Sequence, residues 1–245
     1  MPPPAVMPLA PIVYPDSDGK PMAENTLQYQ WIVAVRENIA LMYSDRADVL
    51  VAADNLVYPV EDNPRLCTAP DVYVSFGRPA GHRSSYKVWE EGDTFPQVIF
   101  EVLSPSNTQR EMDAKREFYL EYGAEEYYVI DPDLNGVSIR VRKRRRLPEV
   151  NDPEAFVSPR LGIRFRWEPD GELTILRPDG SPFQSFLELE RARVEAELRA
   201  KSEQRRADKE KRRADALQLE RDSERAEKEK LKAKLRELGL DPDAV

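Results

Sequence analysis

This chain of 245 residues holds one cysteine and one histidine, and those two scarcities exclude more than any motif suggests. A single Cys67 can form neither an internal disulfide nor a cysteine-based zinc site. A single His82 removes histidine-cluster metal centres and most Ser-His-Asp mechanisms, and its setting, GRPAGHRSS, reads as a solvated loop. No apolar run approaches the ~20 residues that a membrane helix needs. The first residues, MPPPAVMPLAPIVYP, lack the basic start and apolar core of a signal peptide. A soluble protein of the reducing cytoplasm with no membrane partner is the expectation.

Net positive charge is lacking too. The chain carries 37 Lys/Arg against 45 Asp/Glu, a formal net charge of −8. The balance is uneven, because residues 186–238 hold 17 basic and 14 acidic side chains while the rest holds 20 and 31. An acidic core argues against broad, non-specific binding to a phosphate backbone. Any nucleic-acid role needs a local basic patch or metal ions.

What is present reads in order as an arm, a mixed domain and a long helix. Residues 1–23 are Pro-rich and predict an extended arm, with Ile12 to Tyr14 as a short strand. Over residues 25–43, Leu27, Trp31, Val35, Ile39 and Met42 recur at helical steps behind an Asn25 or Thr26 cap. Two short strands follow around Ala53-Asp54-Asn55, then a strand from Thr68 to Gly77 opened by Pro70-Asp71. A long loop, 78–95, leads to Pro96–Asp131, which reads strand, loop, helix, strand. Asn135-Gly136 turns into a further strand running into a dense basic stretch. At strand spacing Arg140, Arg142 and Arg144 share one face, either as a track for phosphates or as an edge strand protected by charge. Strands recur at 161–167 and 172–176.

Residues 186–238 contain neither Pro nor Gly and predict one charged helix. A thin, alanine-rich heptad seam would join it to a second copy in a weak coiled coil. Its own Glu–Lys and Glu–Arg pairs would otherwise support it alone. The domain boundaries expected are 1–23 for the arm, 24–185 for the folded domain, 186–238 for the helix and 239–245 for a tail.

The chemistry concentrates where charge meets apolar strands. Glu101 sits inside QVIFEVL, and an ionised side chain there needs a partner, because burying an unpaired charge costs several kcal/mol. Asp71 opens the preceding strand, and the next helix places Glu111, Lys115 and Tyr119 on one face at steps of four. Two carboxylates on adjacent strands, with the Val102 carbonyl, offer oxygen ligands suited to Mg2+ (Mn2+ as a substitute). Lys115 would then stabilise charge on a phosphoryl group. The competing reading is a buried ion pair between Glu101 and Lys115 with no chemistry.

Taken together, Pro70-Asp71, Glu101 through Thr108 (EVLSPSNT), Glu111, Lys115, Tyr119, Gly123 and Glu126 through Pro132 (EYYVIDP) resemble the putative restriction endonuclease family of the PD-(D/E)XK nuclease superfamily. The resemblance covers roughly residues 20–180. It implies an α/β fold with a mixed sheet, an α-β-β-β-α-β core of the restriction endonuclease-like type, followed here by the long C-terminal helix. It further implies a metal-dependent endonuclease that hydrolyses phosphodiester bonds of DNA. Asp71 and Glu101 match the two acids. The lysine usually two residues after the second acid is Leu103 here, and the family's helical lysine corresponds to Lys115. Glu24, Gln28, Glu111, Tyr119 and Asp131 are candidates for the surrounding shell. The alternative is an inactive nuclease fold that serves as an interaction platform, with the C-terminal helix assembling copies or partners.

Overall fold

The computed structural model describes residues 12–19 and 21–237. The chain divides into two units, Met1–Phe186 and Leu187–Val245. The first contains helix α1 (Thr26–Met42) and strands β1 (Val49–Ala52), β2 (Val57–Tyr58), β3 (Val72–Phe76), β4 (Tyr86–Lys87) and β5 (Val98–Val102). Helix α2 (Gln109–Tyr122), β6 (Glu126–Asp131), β7 (Gly136–Val141), β8 (Arg164–Trp167) and β9 (Leu173–Leu176) complete it. Helix α3 (Phe186–Glu237) begins at its last residue and makes up most of the second unit.

Five strands form one mixed sheet in the order β1-β3-β5-β6-β7. β1 and β3, β3 and β5, and β6 and β7 pair antiparallel, while β5 and β6 run parallel. Parallel neighbours cannot be joined by a tight turn, so α2 carries the chain between them. Leaving aside the short pair β2-β4 and the hairpin β8-β9, the order α1-β1-β3-β5-α2-β6 is the expected α-β-β-β-α-β core.

The sheet is buried on both faces, which explains why β5 is apolar almost throughout. Side chains alternate across a strand. Val98, Phe100 and Val102 therefore meet Ile32, Val35 and Ile39 of α1 and Phe165 and Ile175 of the β8-β9 hairpin. Ile99 faces the other way, into a cluster with Tyr73, Tyr86, Tyr127 and Tyr119 of α2. The cap of α1 is Asn25, whose side chain accepts from the Gln28 N–H. A capping box closes the start of α2: Thr108 accepts from the Glu111 N–H and the Glu111 carboxylate accepts from the Thr108 N–H.

Two local expectations change. Ile12 to Tyr14 forms no strand. Tyr14 instead packs its ring against Tyr58 and Trp89, so the arm is held by aromatic contacts rather than by a ladder. β7 stops at Val141, and the basic run reverses at a Lys143–Arg146 bridge with Arg144 in the left-handed region at φ 58. The single-faced arginine stripe does not form. Like charges along one face repel, and Arg142 finds other partners, donating from Nε to the Ala124 carbonyl at 2.7 Å and from Nη2 to the Leu120 carbonyl.

The helix α3 runs for 52 residues, about 78 Å at 1.5 Å per residue. It carries ion pairs along its surface, from Arg193 to Glu190 and Glu197 and from Arg199 to Glu195. The expected tail 239–245, the last helical residue expected, Leu238, and the first eleven residues of the expected arm lie outside the described residues. Among the described residues no helix is long and apolar enough to cross a membrane.

A second buried acid anchors the loop that leads to the β8-β9 hairpin. Glu126 is 1% exposed and accepts from Tyr128 OH at 2.7 Å, Ser158 Oγ at 2.6 Å and the Arg160 N–H at 2.6 Å. Removing the acceptor leaves these donors without it. Glu126→Ala is predicted to lower the unfolding free energy of the full chain by about 3 kcal/mol, read from urea denaturation.

Candidate active site

Proline opens the site. Pro70 has no N–H to give a ladder, and the paired part of β3 begins only at Val72, opposite Phe100 of β5. Continuing that register by one step sets Asp71 across from Glu101 on the face toward α2. The Asp71 side chain takes over where the ladder ends, its Oδ2 accepting from the Val102 N–H at 2.6 Å. Its Oδ1 takes no hydrogen bond among the described residues.

Glu101 is 2% exposed, and both its oxygens are engaged from α2. Lys115 Nζ lies 2.6 Å from Oε2, and Tyr119 OH donates to Oε1 at 2.5 Å. Lys115 and Tyr119 can do this together because residues four apart share one side of a helix. The Lys115 side chain remains 30% exposed, so its ammonium has a buried side against the carboxylate and a side toward solvent. It also reaches the Ala69 carbonyl at 3.5 Å. From the opposite face of the sheet, Gln28 Nε2 donates to the Val102 carbonyl at 2.8 Å while its Oε1 accepts from the Glu24 N–H at 2.9 Å. Those two bonds fix the orientation of the amide.

The charges are not balanced. Two carboxylates face one ammonium. Burial first, and then the neighbouring Glu101 charge, push the Asp71 carboxyl up to about 8, with Lys115 and the Val102 hydrogen bond opposing. Lys115 behaves in the other direction: burial works against its charge, but Glu101 and Asp71 hold its pKa above the usual value. Burial and the Glu101 charge raise the Tyr119 phenol well above its ordinary range, so it stays a donor.

The structure thus brings together Asp71, Glu101, Val102, Lys115, Tyr119 and Gln28. Glu24 stands at the rim, accepting from Ser106 Oγ. Glu111 closes the α2 cap, and its charge is felt by Lys115. Asp131 ends β6 and accepts from the Asp133 and Leu134 N–H groups in a turn. The three arginines are elsewhere. Glu101 and Val102 lie beside Val129 and Ile130, whereas β7 returns to pair Val141 with Glu126 at the opposite end of the sheet. Arg142 and Arg144 follow Val141 at that far end, and Arg140 is bound to Glu149 at 2.8 Å.

One neighbour escaped the sequence reading. Asp54 appeared only as a bend between strands, yet its N–H donates to the Pro70 carbonyl at 3.2 Å, next to Asp71. Its carboxyl is raised by burial and Asp18, and Lys115 opposes this. The available signal was the acid in the break between two apolar strands, but nothing in linear order aims it at Asp71.

The donors that remain are hard oxygens: Asp71 Oδ1, the Glu101 carboxylate and the second lone pair of the Val102 carbonyl. Among the described residues no group of three Asp, Glu, His or Cys side chains could hold a metal ion. This set fits magnesium, which takes one or two carboxylates and keeps several waters, better than zinc.

The raised Asp71 pKa has a consequence for stability. The folded protein keeps a proton near pH 8 that the unfolded chain, with an aspartate pKa of about 3.9, has already lost. Stability therefore falls as pH rises from about 4 through about 8. In metal-free buffer, the thermal midpoint of the wild type is predicted to drop relative to Asp71→Asn between pH 5 and pH 8. Parallel pH profiles for the two proteins would contradict this.

Comparison with known proteins identifies the family. No curated protein matches the chain. A solved structure of a putative nuclease belonging to DUF820 from Anabaena variabilis ATCC 29413 is similar at 16% identity, covering 55% of this chain and 72% of that one, with a TM-score of 0.42. The family Uma2, described as "Putative restriction endonuclease", matches residues 21–176. That span holds both carboxylates, Lys115 and the whole five-stranded sheet, and the chain belongs to this family of putative restriction endonucleases.

Proposed function

We propose that the protein is a magnesium-dependent endonuclease that hydrolyses phosphodiester bonds of DNA at the cluster of Asp71, Glu101 and Lys115. The observation that carries the reading is a pair of adjoining buried carboxyl groups served by one ammonium, in which Asp71 holds a proton that a hard divalent cation would replace. Asp71, Glu101 and the Val102 carbonyl would hold the ion. When bound, it supplies Lewis-acid stabilisation of charge on a phosphoryl oxygen and lowers the pKa of a water in its shell.

The chain's own groups hold the substrate and the charges in place. Lys115 keeps its proton at neutral pH and directs its solvent side at the phosphate, countering charge that grows in the transition state. Tyr119 holds Glu101 in one rotamer through its hydroxyl. Gln28 holds the Val102 carbonyl, and the Val102 N–H holds Asp71. Such preorganisation matters because positional errors of about 1 Å cost roughly a hundredfold in rate.

The test is cleavage of plasmid DNA with and without Mg2+. Wild type is expected to nick only with the ion, and Glu101→Ala to lose at least about a hundredfold while keeping the wild-type circular dichroism spectrum. Undiminished cleavage by a folded Glu101→Ala protein would end the proposal.

The Glu101–Lys115 pair itself favours a second reading, since a carboxylate already paired can be purely structural. In that case the domain is an inactive platform and α3 joins it to a second copy. Titration of Mg2+ into the full chain by calorimetry separates the two. Heat that disappears in Asp71→Asn supports the nuclease, and no heat in the wild type supports the platform.

A further inference from the structure

A third acid, Asp54, stands at the edge of the cluster of Asp71, Glu101 and Lys115, on the chain between the end of β1 at Ala52 and the start of β2 at Val57. Resting on the metal-dependent reading above, we propose that Asp54 is a positioning residue for the divalent cation, its carboxylate accepting hydrogen bonds from water held by the ion while making no direct bond to it.

Three contacts converge on the tripeptide Ala69-Pro70-Asp71. Lys115 Nζ reaches the Ala69 carbonyl at 3.5 Å, the Asp54 N–H donates to the Pro70 carbonyl at 3.2 Å, and the Val102 N–H donates to Asp71 Oδ2 at 2.6 Å. The backbone that carries Asp54 is therefore tied to the residue before Asp71. The side chains feel one another as well. Asp54 is among the charges that raise the Asp71 carboxyl, and Lys115 opposes the rise at Asp54 itself. Asp54 is exposed, and its carboxylate takes no hydrogen bond among the described residues.

Turn chemistry accounts for the residue type but not for the place. Asp54 has a left-handed backbone, φ 55, which aspartate tolerates. Asp62 and Asp93 share that conformation. Of the three, Asp54 alone is bonded to the residue before Asp71 and adds to the charge upon it. The acids that hold this domain together are supplied with donors, Glu101 by Lys115 and Tyr119 and Glu126 by Tyr128, Ser158 and the Arg160 N–H. Asp54 has no such supply. A further acid beside two others costs the ion-free protein, because like charges disfavour ionisation, and a cation reverses that cost.

That Asp54 acts through water follows from its reach and from the chemistry of magnesium. Among the described residues no three Asp, Glu, His or Cys side chains could hold one metal ion, so Asp54 does not join Asp71 and Glu101 as a direct ligand. Magnesium takes one or two carboxylates and keeps several waters. Those waters are donors, and an open carboxylate beside the ligands is the group that accepts from them. Glu24, the other acid at the rim, is already engaged with Ser106 Oγ. Partners of this outer kind orient what the ion holds, and losing one typically costs about 10- to 100-fold in metal affinity.

Calorimetric titration of Mg2+ into the full-length protein measures this without any cutting. Asp54→Asn and Asp54→Gly both suit a left-handed backbone, and thermal melts confirm that each is folded. Both are expected to weaken Mg2+ binding about tenfold or more, with the number of ions bound unchanged. In plasmid nicking the Mg2+ concentration that gives half the maximal rate rises by the same factor, and excess Mg2+ restores the maximal rate. Asp18→Asn removes an equal charge whose field is felt by Asp54 and is expected to change the affinity far less. Wild-type affinity in both Asp54 variants overturns the proposal. So does an equal loss in Asp18→Asn, which makes the effect one of general charge. So do two ions in the wild type falling to one in Asp54→Asn, which makes Asp54 a direct ligand. Failure of the nuclease reading looks different. A wild type that binds Mg2+ without cutting ends that reading while the affinities still decide the role of Asp54, and a wild type that binds no Mg2+ ends both.

Discussion

An ionised carboxylate on a central strand is the constraint around which this domain is arranged. Glu101 cannot be charged and dry without donors, and the sheet offers none, because its neighbours across the register are Val129 and a second acid, Asp71. The donors come from α2, which must cross the sheet with Lys115 and Tyr119 turned inward. That requirement sets the rotation of α2 about its axis. The capping box at Thr108 and Glu111 sets where α2 starts, and the turns between cap and lysine then bring the ammonium level with the strand end.

The two acids are treated differently, and the difference gives the cluster its chemical character. Glu101 receives a built-in countercharge and a hydroxyl donor. Asp71 receives one backbone N–H and is otherwise left beside a like charge in a poorly hydrated place. A proton can relieve it, and so can a cation. Around this pair the auxiliary contacts are all of one kind, since Gln28, Tyr119 and the Val102 N–H each hold an oxygen in position without adding charge. The lysine on α2 rather than at position 103 belongs to the same pattern. Leu103 continues the strand by donating its N–H to the Ile130 carbonyl, and the ammonium arrives from the side.

Much of this was legible in the chain. Apolar steps of three and four located α1 between Asn25 and Tyr43, and runs of apolar residues between turn signals located the strands of the sheet. Glu101 was conspicuous as a lone acid in an apolar strand, and the four-residue step on α2 named Lys115 and Tyr119 as a pair. Other positions were not legible, for physical reasons. The basic run has the composition of an exposed strand, but mutual repulsion and the open carbonyls at the end of α2 turn it away, and Arg142 becomes a cap. Tyr14 has the composition of a strand residue, yet its ring is worth more against Trp89 and Tyr58 than its backbone is in a ladder. Asp54 was visible only as an acid in the break between two strands, with nothing in linear order to aim it at Asp71.

What the sequence by itself determined is therefore what depends on near neighbours: the elements, the caps, the alternation that sends Glu101 to one face of β5 and Val102 to the other. These follow from the helical and strand periods, which are properties of a few consecutive residues. Only the tertiary structure decided which end of the sheet carries charge. Asp71 and Glu101 lie thirty positions apart and meet through the antiparallel register of β3 and β5. The arginines, by contrast, follow β5 and β6 closely in sequence and are carried to the other end by the return of β7. Such meetings depend on strand order and direction, which no local pattern of residues contains.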